Sequence, residues 1–209
     1  MNPGIKARHQ KQRSKMGRFL HEYGYTRAAD ALAYVQELDE GETRKDGETP
    51  SFHHQLSVGR LIFTLSPHLL HPEETLAAAF LHDVMEDHSI GGLELTERFG
   101  RRVTGAVWRL TKRWDGMAKP YDLYFEELAD CPIASVVKLA DRAHNIQTMP
   151  GVFDRPKQRA YLAEVKTWFF PLLRNARRQH PDQYLAYENL KILLRSQVAL
   201  LCRMLHRGT

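Results

Sequence analysis

The sequence predicts an all-α fold. Apolar residues recur at helical spacing through most of the chain, and proline or glycine stands where those segments would begin and end. No stretch of useful length alternates strictly between apolar and polar residues, as a half-buried strand would. With 209 residues, 43% of them hydrophobic, the chain is long enough for one domain with a substantial core. We therefore expect a compact bundle of about eight to ten helices.

The N-terminal segment is predicted to differ from the rest. Its basic side chains all precede the first acidic residue, Glu22, and they are Lys6, Arg8, Lys11, Arg13, Lys15 and Arg18. Because a run of like charges is usually solvated, we expect residues 1–17 to form a flexible basic tail and residues 18–209 to form a single domain. No aromatic residue is interleaved among these bases to stack on nucleobases, so we do not expect a nucleic-acid partner.

Composition and charge restrict the class of protein. The net charge of +5 would favour an anionic small ligand. Two cysteines, Cys131 and Cys202, fit no metal-ligand spacing and suit a reducing compartment. No apolar run approaches the roughly 20 residues of a membrane span, and the first residues lack the apolar core of a signal peptide. We therefore expect a cytoplasmic protein without membrane contact.

Three helices are predicted in the first 90 residues. The first runs from Thr26 to Leu38, and a polar loop with glycine and proline follows over residues 39–50. The second runs from His53 to Leu65. The third begins at Pro72, since proline suits the first turn of a helix.

Six further helices are predicted by the same criteria. Gly100 separates the first two of them, and Pro171 is expected to kink the fifth. Their predicted ranges are 93–99, 102–111, 121–128, 132–149, 159–176 and 182–205.

Residues 76–87 (LAAAFLHDVMED) combine an apolar segment with a cluster of ionisable side chains. Residues 76–81 are apolar all round, which is typical of a buried helix. In a continuous helix, at about 100° per residue, one sector of a face would hold His82, Asp83, Glu86 and Asp87. Histidine beside aspartate is a good ligand pair for a divalent transition ion. The residues alone leave two alternatives, a metal site or a frayed helix end with hydrated charges.

A second polar cluster is predicted on the helix over residues 132–149. Asp141, Asn145 and Thr148 share one face of a largely apolar helix, with Lys138 beside them. An acid, an amide and a hydroxyl on one face can form a binding site, but Asp141 can equally be an ordinary surface residue. The pair Arg44 and Lys45, taken alone, is typical of a solvated loop.

Three separated motifs together resemble the HD-domain phosphohydrolases. They are RKDG at residues 44–47, HDxxED at residues 82–87, and KLADRxHN at residues 138–145 followed by Thr148. In order and spacing they are similar to the hydrolase domain of RelA/SpoT proteins and to stand-alone small alarmone hydrolases of the metazoan SpoT-homologue type. The similarity extends over residues 26–175.

The resemblance implies an HD-type helical bundle that removes pyrophosphate from the 3′ position of guanosine tetra- or pentaphosphate, usually with Mn²⁺. It implies four metal ligands, His54, His82, Asp83 and Asp141. Glu86 and Asp87 would position and deprotonate the attacking water, a role that their place about one turn beyond the His-Asp pair also allows. The implied substrate contacts are Arg44, Lys45, Asn145 and Thr148.

Departures from the family pattern leave the nucleotide open. Ser51 stands where the family has tyrosine, and Gln55 replaces the proline after the metal-binding histidine. Ala143 replaces a larger residue, and Gln147 replaces a basic one. Alternative substrates are an adenosine alarmone, a deoxynucleotide and a nicotinamide dinucleotide phosphate. The non-enzymatic alternative is an HD binding module without turnover, and the sequence does not decide the oligomeric state.

Overall fold

The computed structural model describes residues 3–44, 47 and 49–206, with side chains from residue 10 onwards. Over these residues the predicted all-α fold is confirmed. The helices, numbered in chain order, are α1 (Pro3–Glu22), α2 (Thr26–Leu38), α3 (His53–Leu65), α4 (Pro72–Leu81), α5 (Val84–His88), α6 (Gly92–Leu110), α7 (Tyr121–Ala129), α8 (Pro132–Thr148), α9 (Arg155–Glu164), α10 (Phe170–Gln179) and α11 (Tyr184–His206). The described strands form one small antiparallel hairpin, β1 (Arg113–Trp114) and β2 (Met117–Ala118).

Most predicted boundaries agree with the structure. The ranges of α2 and α3 are those expected, and α6 is interrupted at Gly100, whose φ of 82° lies in the left-handed region. A π-helical segment, Val165–Phe169, joins α9 to α10 without a break. No helix among the described residues is long and apolar enough to cross a membrane.

The N-terminal segment corrects one prediction, because residues expected to form a tail are helical from Pro3 onwards. Met16 and Leu20 are buried in the core, and Phe19 stacks on Phe63 of α3 with ring centroids 5.2 Å apart. Lysine, arginine and glutamine are good helix formers, so a segment anchored at one end can remain helical without an apolar stripe of its own. Residue 18, the expected domain boundary, lies inside α1.

The centre of the fold is α4, whose residues from Thr75 to Leu81 are all buried. It packs against α2, α3, α6 and α8. The approach of α3 is very close, because a Cβ added at Gly59 would lie 2.2 Å from Cε1 of Phe80. This packing brings the start of α3, the end of α4 and the middle of α8 to one place.

The expected continuous helix over residues 76–87 is wrong, since α4 ends at Leu81 and α5 begins at Val84. His82 Nδ1 lies 2.8 Å from the carbonyl oxygen of Ala79, which helps to explain the break. In a continuous helix, the carbonyl oxygen of Ala79 would accept a hydrogen bond from the backbone N–H of Asp83, four residues further along the chain. The side chain of His82 therefore takes over a backbone acceptor at the turn between the two helices.

Candidate metal centre

Side chains from three elements converge at the bottom of the site. They are His54 at the start of α3, His82 after α4, and Asp141 in α8, and all three are buried. Nε2 of His54 lies 3.2 Å from Nε2 of His82 and 3.1 Å from Oδ1 of Asp141. One potential ligand atom from each residue lies within 4.8 Å of the others. His54, and not its neighbour His53, belongs to this cluster.

Asp83 completes the group from the turn after α4. Its Oδ2 lies 3.0 Å from Nε2 of His82, and its side chain is about one-third exposed, towards the open side of the site. Asp83 therefore lies beside the cluster of His54, His82 and Asp141, next to His82, and is the fourth candidate ligand. Donor atoms about 3 Å apart have the spacing of neighbouring ligands that each lie about 2.1 Å from a shared ion.

The charges indicate a place for a cation. Burial alone would lower the pKa of His82, but the carboxylates of Asp83 and Asp141 outweigh it and raise that pKa to about 9. Burial lowers the pKa of His54, although Asp141 opposes the shift. Without an ion, a proton on His82 thus supplies the positive charge that the carboxylates require. The residues fit a divalent transition metal, which prefers imidazole and carboxylate ligands.

His144 in α8 is a functional candidate that the sequence did not single out. Its Nδ1 lies 2.8 Å from Nδ1 of His54. Burial and the neighbouring His54 lower the pKa of His144 to about 3, so the ring is neutral and keeps an acceptor nitrogen. When Nε2 of His54 binds a cation, the single proton of the neutral His54 ring lies on Nδ1. That N–H group then needs the acceptor nitrogen of His144.

Replacing His144 with alanine is therefore expected to weaken Mn²⁺ binding about 10–100-fold, the usual cost of losing such an outer partner. His144→Asn keeps an acceptor oxygen near the position of Nδ1 and should therefore weaken Mn²⁺ binding less than His144→Ala does. Competition titration against a chelating dye measures both affinities, and His21→Asn on exposed α1 is the matched control. Wild-type affinity in the alanine variant would contradict the role of His144 in orienting His54.

Glu86 and Asp87 on α5 both line the open side of the site but differ in their contacts. Oε1 of Glu86 accepts hydrogen bonds from the backbone N–H groups of Lys112 and Arg113. Partial burial of the Asp87 carboxyl group, together with the charges of Asp83 and Glu86, raises its pKa to about 6. Glu86 is thus fixed to the hairpin, whereas Asp87 has the properties of a proton acceptor near neutral pH.

The predicted substrate contacts are distributed around the same site. Nδ2 of Asn145 donates to Oδ1 of Asp141 at 2.6 Å, so this amide also orients a candidate ligand. Thr148 donates to the carbonyl oxygen of His144, and Arg44 lies in the loop before α3. Lys45 lies outside the described residues.

These side chains line a cavity of about 800 Å³, which is ample for a nucleotide. Eight predicted site residues border it, namely Arg44, His54, Asp83, Glu86, Asp87, Asp141, Asn145 and Thr148. Lys138 also lines the cavity, with Nζ 3.1 Å from Oδ2 of Asp141. Burial would lower the pKa of Lys138, but Tyr124 and Asp141 raise it above its ordinary value, so the amine stays cationic.

Sequence reasoning missed the lining on the far side of the cavity. Phe153 and Tyr161 border it with ring centroids 5.6 Å apart, and Gln12 of α1 also borders it. The sequence carried no signal for the aromatic pair, since neither residue belongs to a motif. Gln12 was missed because its segment was expected to be a tail.

Comparison with known proteins agrees with this geometry. Residues 31–116 match the family model described as HD domain. This part of the chain is an HD domain. The His82-Asp83 pair falls within the matched residues and within the candidate metal centre.

Curated relatives of this HD domain are named for alarmone chemistry. A guanosine-3′,5′-bis(diphosphate) 3′-pyrophosphohydrolase of Aquifex aeolicus is 31% identical over 147 residues, covering 68% of this chain and 20% of the relative. The bifunctional (p)ppGpp synthase/hydrolase SpoT of Escherichia coli is 28% identical over 153 residues, covering 69% and 21%. The chain therefore spans about a fifth of the length of the curated relatives it matches.

A solved structure supports the fold. This HD domain superimposes on a metazoan orthologue of SpoT, described as hydrolysing ppGpp, with a TM-score of 0.60 and 24% sequence identity. The match covers 78% of this chain and 93% of the other. The predicted HD-type bundle is thus confirmed.

Proposed function

We propose that this chain is a metal-dependent hydrolase that removes pyrophosphate from the 3′ position of guanosine tetra- or pentaphosphate, leaving GDP or GTP. The observation that carries the proposal is the cluster of His54, His82 and Asp141, with Asp83 beside His82, next to a cavity that Asp87 also lines. The names of the curated relatives support the choice of substrate.

The four converging residues would hold the metal, for which we propose Mn²⁺. When bound, such an ion polarises a phosphoryl oxygen and makes water more acidic. We assign Asp87 as the group that takes the proton of the attacking water, because its pKa of about 6 leaves it ionised at neutral pH. Glu86, fixed by two backbone N–H groups, would orient that water. The water oxygen would bond to the phosphorus next to the 3′ oxygen, and the bond between that phosphorus and the 3′ oxygen would break. The 3′ oxygen would take up a proton to become a hydroxyl group, and pyrophosphate would leave.

Recognition of the nucleotide would fall to other residues of the site. Arg44 and Lys138 would supply positive charge for the phosphates, and the family resemblance implies that Arg44 and Lys45 also flank the base. Phe153 and Tyr161 offer aromatic surfaces on which a purine can stack. Asn145 and Thr148 would contact the sugar.

A second candidate substrate is an adenosine 3′-pyrophosphate. The observation in its favour is that Ser51 and Gln55, two departures from the family pattern, both line the cavity. They therefore lie where they can alter the shape available to the base.

The proposal predicts that purified full-length protein with Mn²⁺ converts guanosine tetraphosphate to GDP and pyrophosphate. Anion-exchange chromatography and ³¹P NMR identify the products, with adenosine 3′-pyrophosphates and deoxynucleotides compared in the same panel. The Asp83→Ala variant serves as a control, since it lacks one candidate ligand and should lose the ion of this centre and the activity together. Release of phosphate from a deoxynucleotide with no cleavage of any 3′-pyrophosphate would contradict the proposal.

A further inference from the structure

A second group of potential metal ligands lies where α2 ends, outside the centre described above. Asp39 follows α2, Glu42 lies in the next loop, and His88 ends α5. One potential ligand atom of each lies within 4.8 Å of the others. Nε2 of His88 is 2.8 Å from Oδ1 of Asp39. None of the three belongs to the candidate metal centre.

The second carboxylate oxygen of Asp39 has no partner to explain its position. Asp39 is 4% exposed, and its Oδ2 is buried without a hydrogen bond among the described residues. A buried polar atom in that state is costly. Burial is also the main reason why the pKa of Asp39 is raised, and the nearby charges of Glu42 and Asp83 add to the effect. His88 only partly offsets this accumulation of negative charge.

From this geometry we propose that Asp39, Glu42 and His88 form a second divalent-cation site. One imidazole with two carboxylates is a ligand set for Mn²⁺, Co²⁺ or Zn²⁺. Ca²⁺ would need six to eight oxygen ligands, more than this group offers. A divalent ion would satisfy Oδ2 of Asp39 and neutralise both carboxylates, and His88 would turn its Nε2 lone pair towards it.

The position of this site gives it a mechanical role. The loop that carries Glu42 continues to Arg44, and the carbonyl oxygen of Glu42 accepts a hydrogen bond from the N–H of Ser51. His88 is one residue beyond Asp87 on α5. A cation bound there would therefore join the loop that carries Arg44 to the helix that carries Asp87. The inference does not require that the cavity hydrolyses an alarmone.

Direct counting of bound Co²⁺ in the full-length protein tests the second site. Wild-type protein is expected to bind two Co²⁺ ions per chain, measured by visible absorption during titration and by elemental analysis after gel filtration. Asp83→Ala should retain the second ion, His88→Gln should retain only the first, and the double variant should retain none. Glu42→Gln should weaken the second site by more than about tenfold, because even outer partners are worth 10–100-fold.

The controls separate metal binding from folding. Glu42 is exposed, so its variant tests the site even if His88→Gln disturbs the buried contact with Asp39. His21→Gln changes an exposed histidine on α1 and should still bind two ions. One Co²⁺ per wild-type chain, or two in both His88→Gln and Glu42→Gln, would overturn the inference. An absence of alarmone hydrolysis with two ions bound would count against the proposed function alone.

Discussion

Replacement of Asp87 by asparagine is expected to lower the rate of pyrophosphate release about 10²–10⁴-fold, the usual contribution of a positioned general base. Asparagine keeps the size of the side chain but cannot take a proton. Asp87 is not among the converging ligand residues, so the Mn²⁺ content should not change. Initial rates and elemental analysis on the same preparation measure both quantities.

The pH profile provides an independent check on Asp87. A base must be deprotonated, so activity should fall as pH decreases through the pKa of this carboxyl group. That pKa is about 6 without an ion, raised by burial and by Asp83 and Glu86, and a bound cation lowers it because positive charge favours the carboxylate. We therefore expect the acidic limb of the wild-type profile at or below about pH 6.

Two comparisons make the Asp87 result interpretable. Asp122→Asn makes the same change at an exposed position on α7 and should leave the rate unchanged. Glu86→Gln should lower the rate less than Asp87→Asn does, because its amide oxygen can still accept hydrogen bonds from the N–H groups of Lys112 and Arg113. A rate within about twofold of wild type in Asp87→Asn would show that the proton goes elsewhere.

His82 and Asp83 were accessible to sequence reasoning because their chemistry is rare in a core, whereas His54 and Asp141 were predicted as ligands from the family resemblance. His82 and Asp83 follow six apolar residues, and a buried charge needs a partner or an ion. The angular argument behind the prediction was nevertheless wrong, since α4 and α5 are separate helices. The cluster forms because α3, α4 and α8 approach one another closely, which a helical wheel of one segment cannot represent.

Several residues of the site were not predictable, because their positions depend on how the helices pack. His144 stands inside the KLADRxHN motif, but its contact with His54 depends on how α8 lies against α3. Tyr161 reaches the cavity through the orientation of α9, and Phe153 through the turn before that helix. Periodicity carries no information on the direction of a helix. The packing of α1 depends on few buried side chains, among them Met16 and Leu20, which is too weak a pattern to distinguish from a tail.

Gly59→Ala is expected to destabilise the fold and to weaken the metal centre together. The new Cβ would lie 2.2 Å from Cε1 and 2.8 Å from Cζ of Phe80, which is fully buried. Overpacking of this kind typically costs about 1–3 kcal/mol. Gly59 is five residues beyond His54, and Phe80 is two residues before His82, so a forced separation of α3 and α4 moves two candidate ligands apart. Thermal unfolding followed by circular dichroism, with and without Mn²⁺, measures both effects.

The contact between the two helices can be tested against the general effect of adding a methyl group. Gly17→Ala on α1 meets no atom within 4 Å, and it should stabilise the helix slightly because alanine loses less entropy than glycine on folding. Phe80→Leu removes the ring atoms that the new Cβ would meet. The double variant Gly59→Ala/Phe80→Leu should therefore be more stable than the sum of the two single effects predicts. The effects of substitutions at contacting residues on the free energy of unfolding are not additive. Two outcomes would contradict this prediction: strictly additive effects, or a Gly59→Ala protein as stable as wild type. Either one would mean that α3 and α4 do not approach each other as closely as in the structure. The convergence of His54 with His82 would then lose its physical basis.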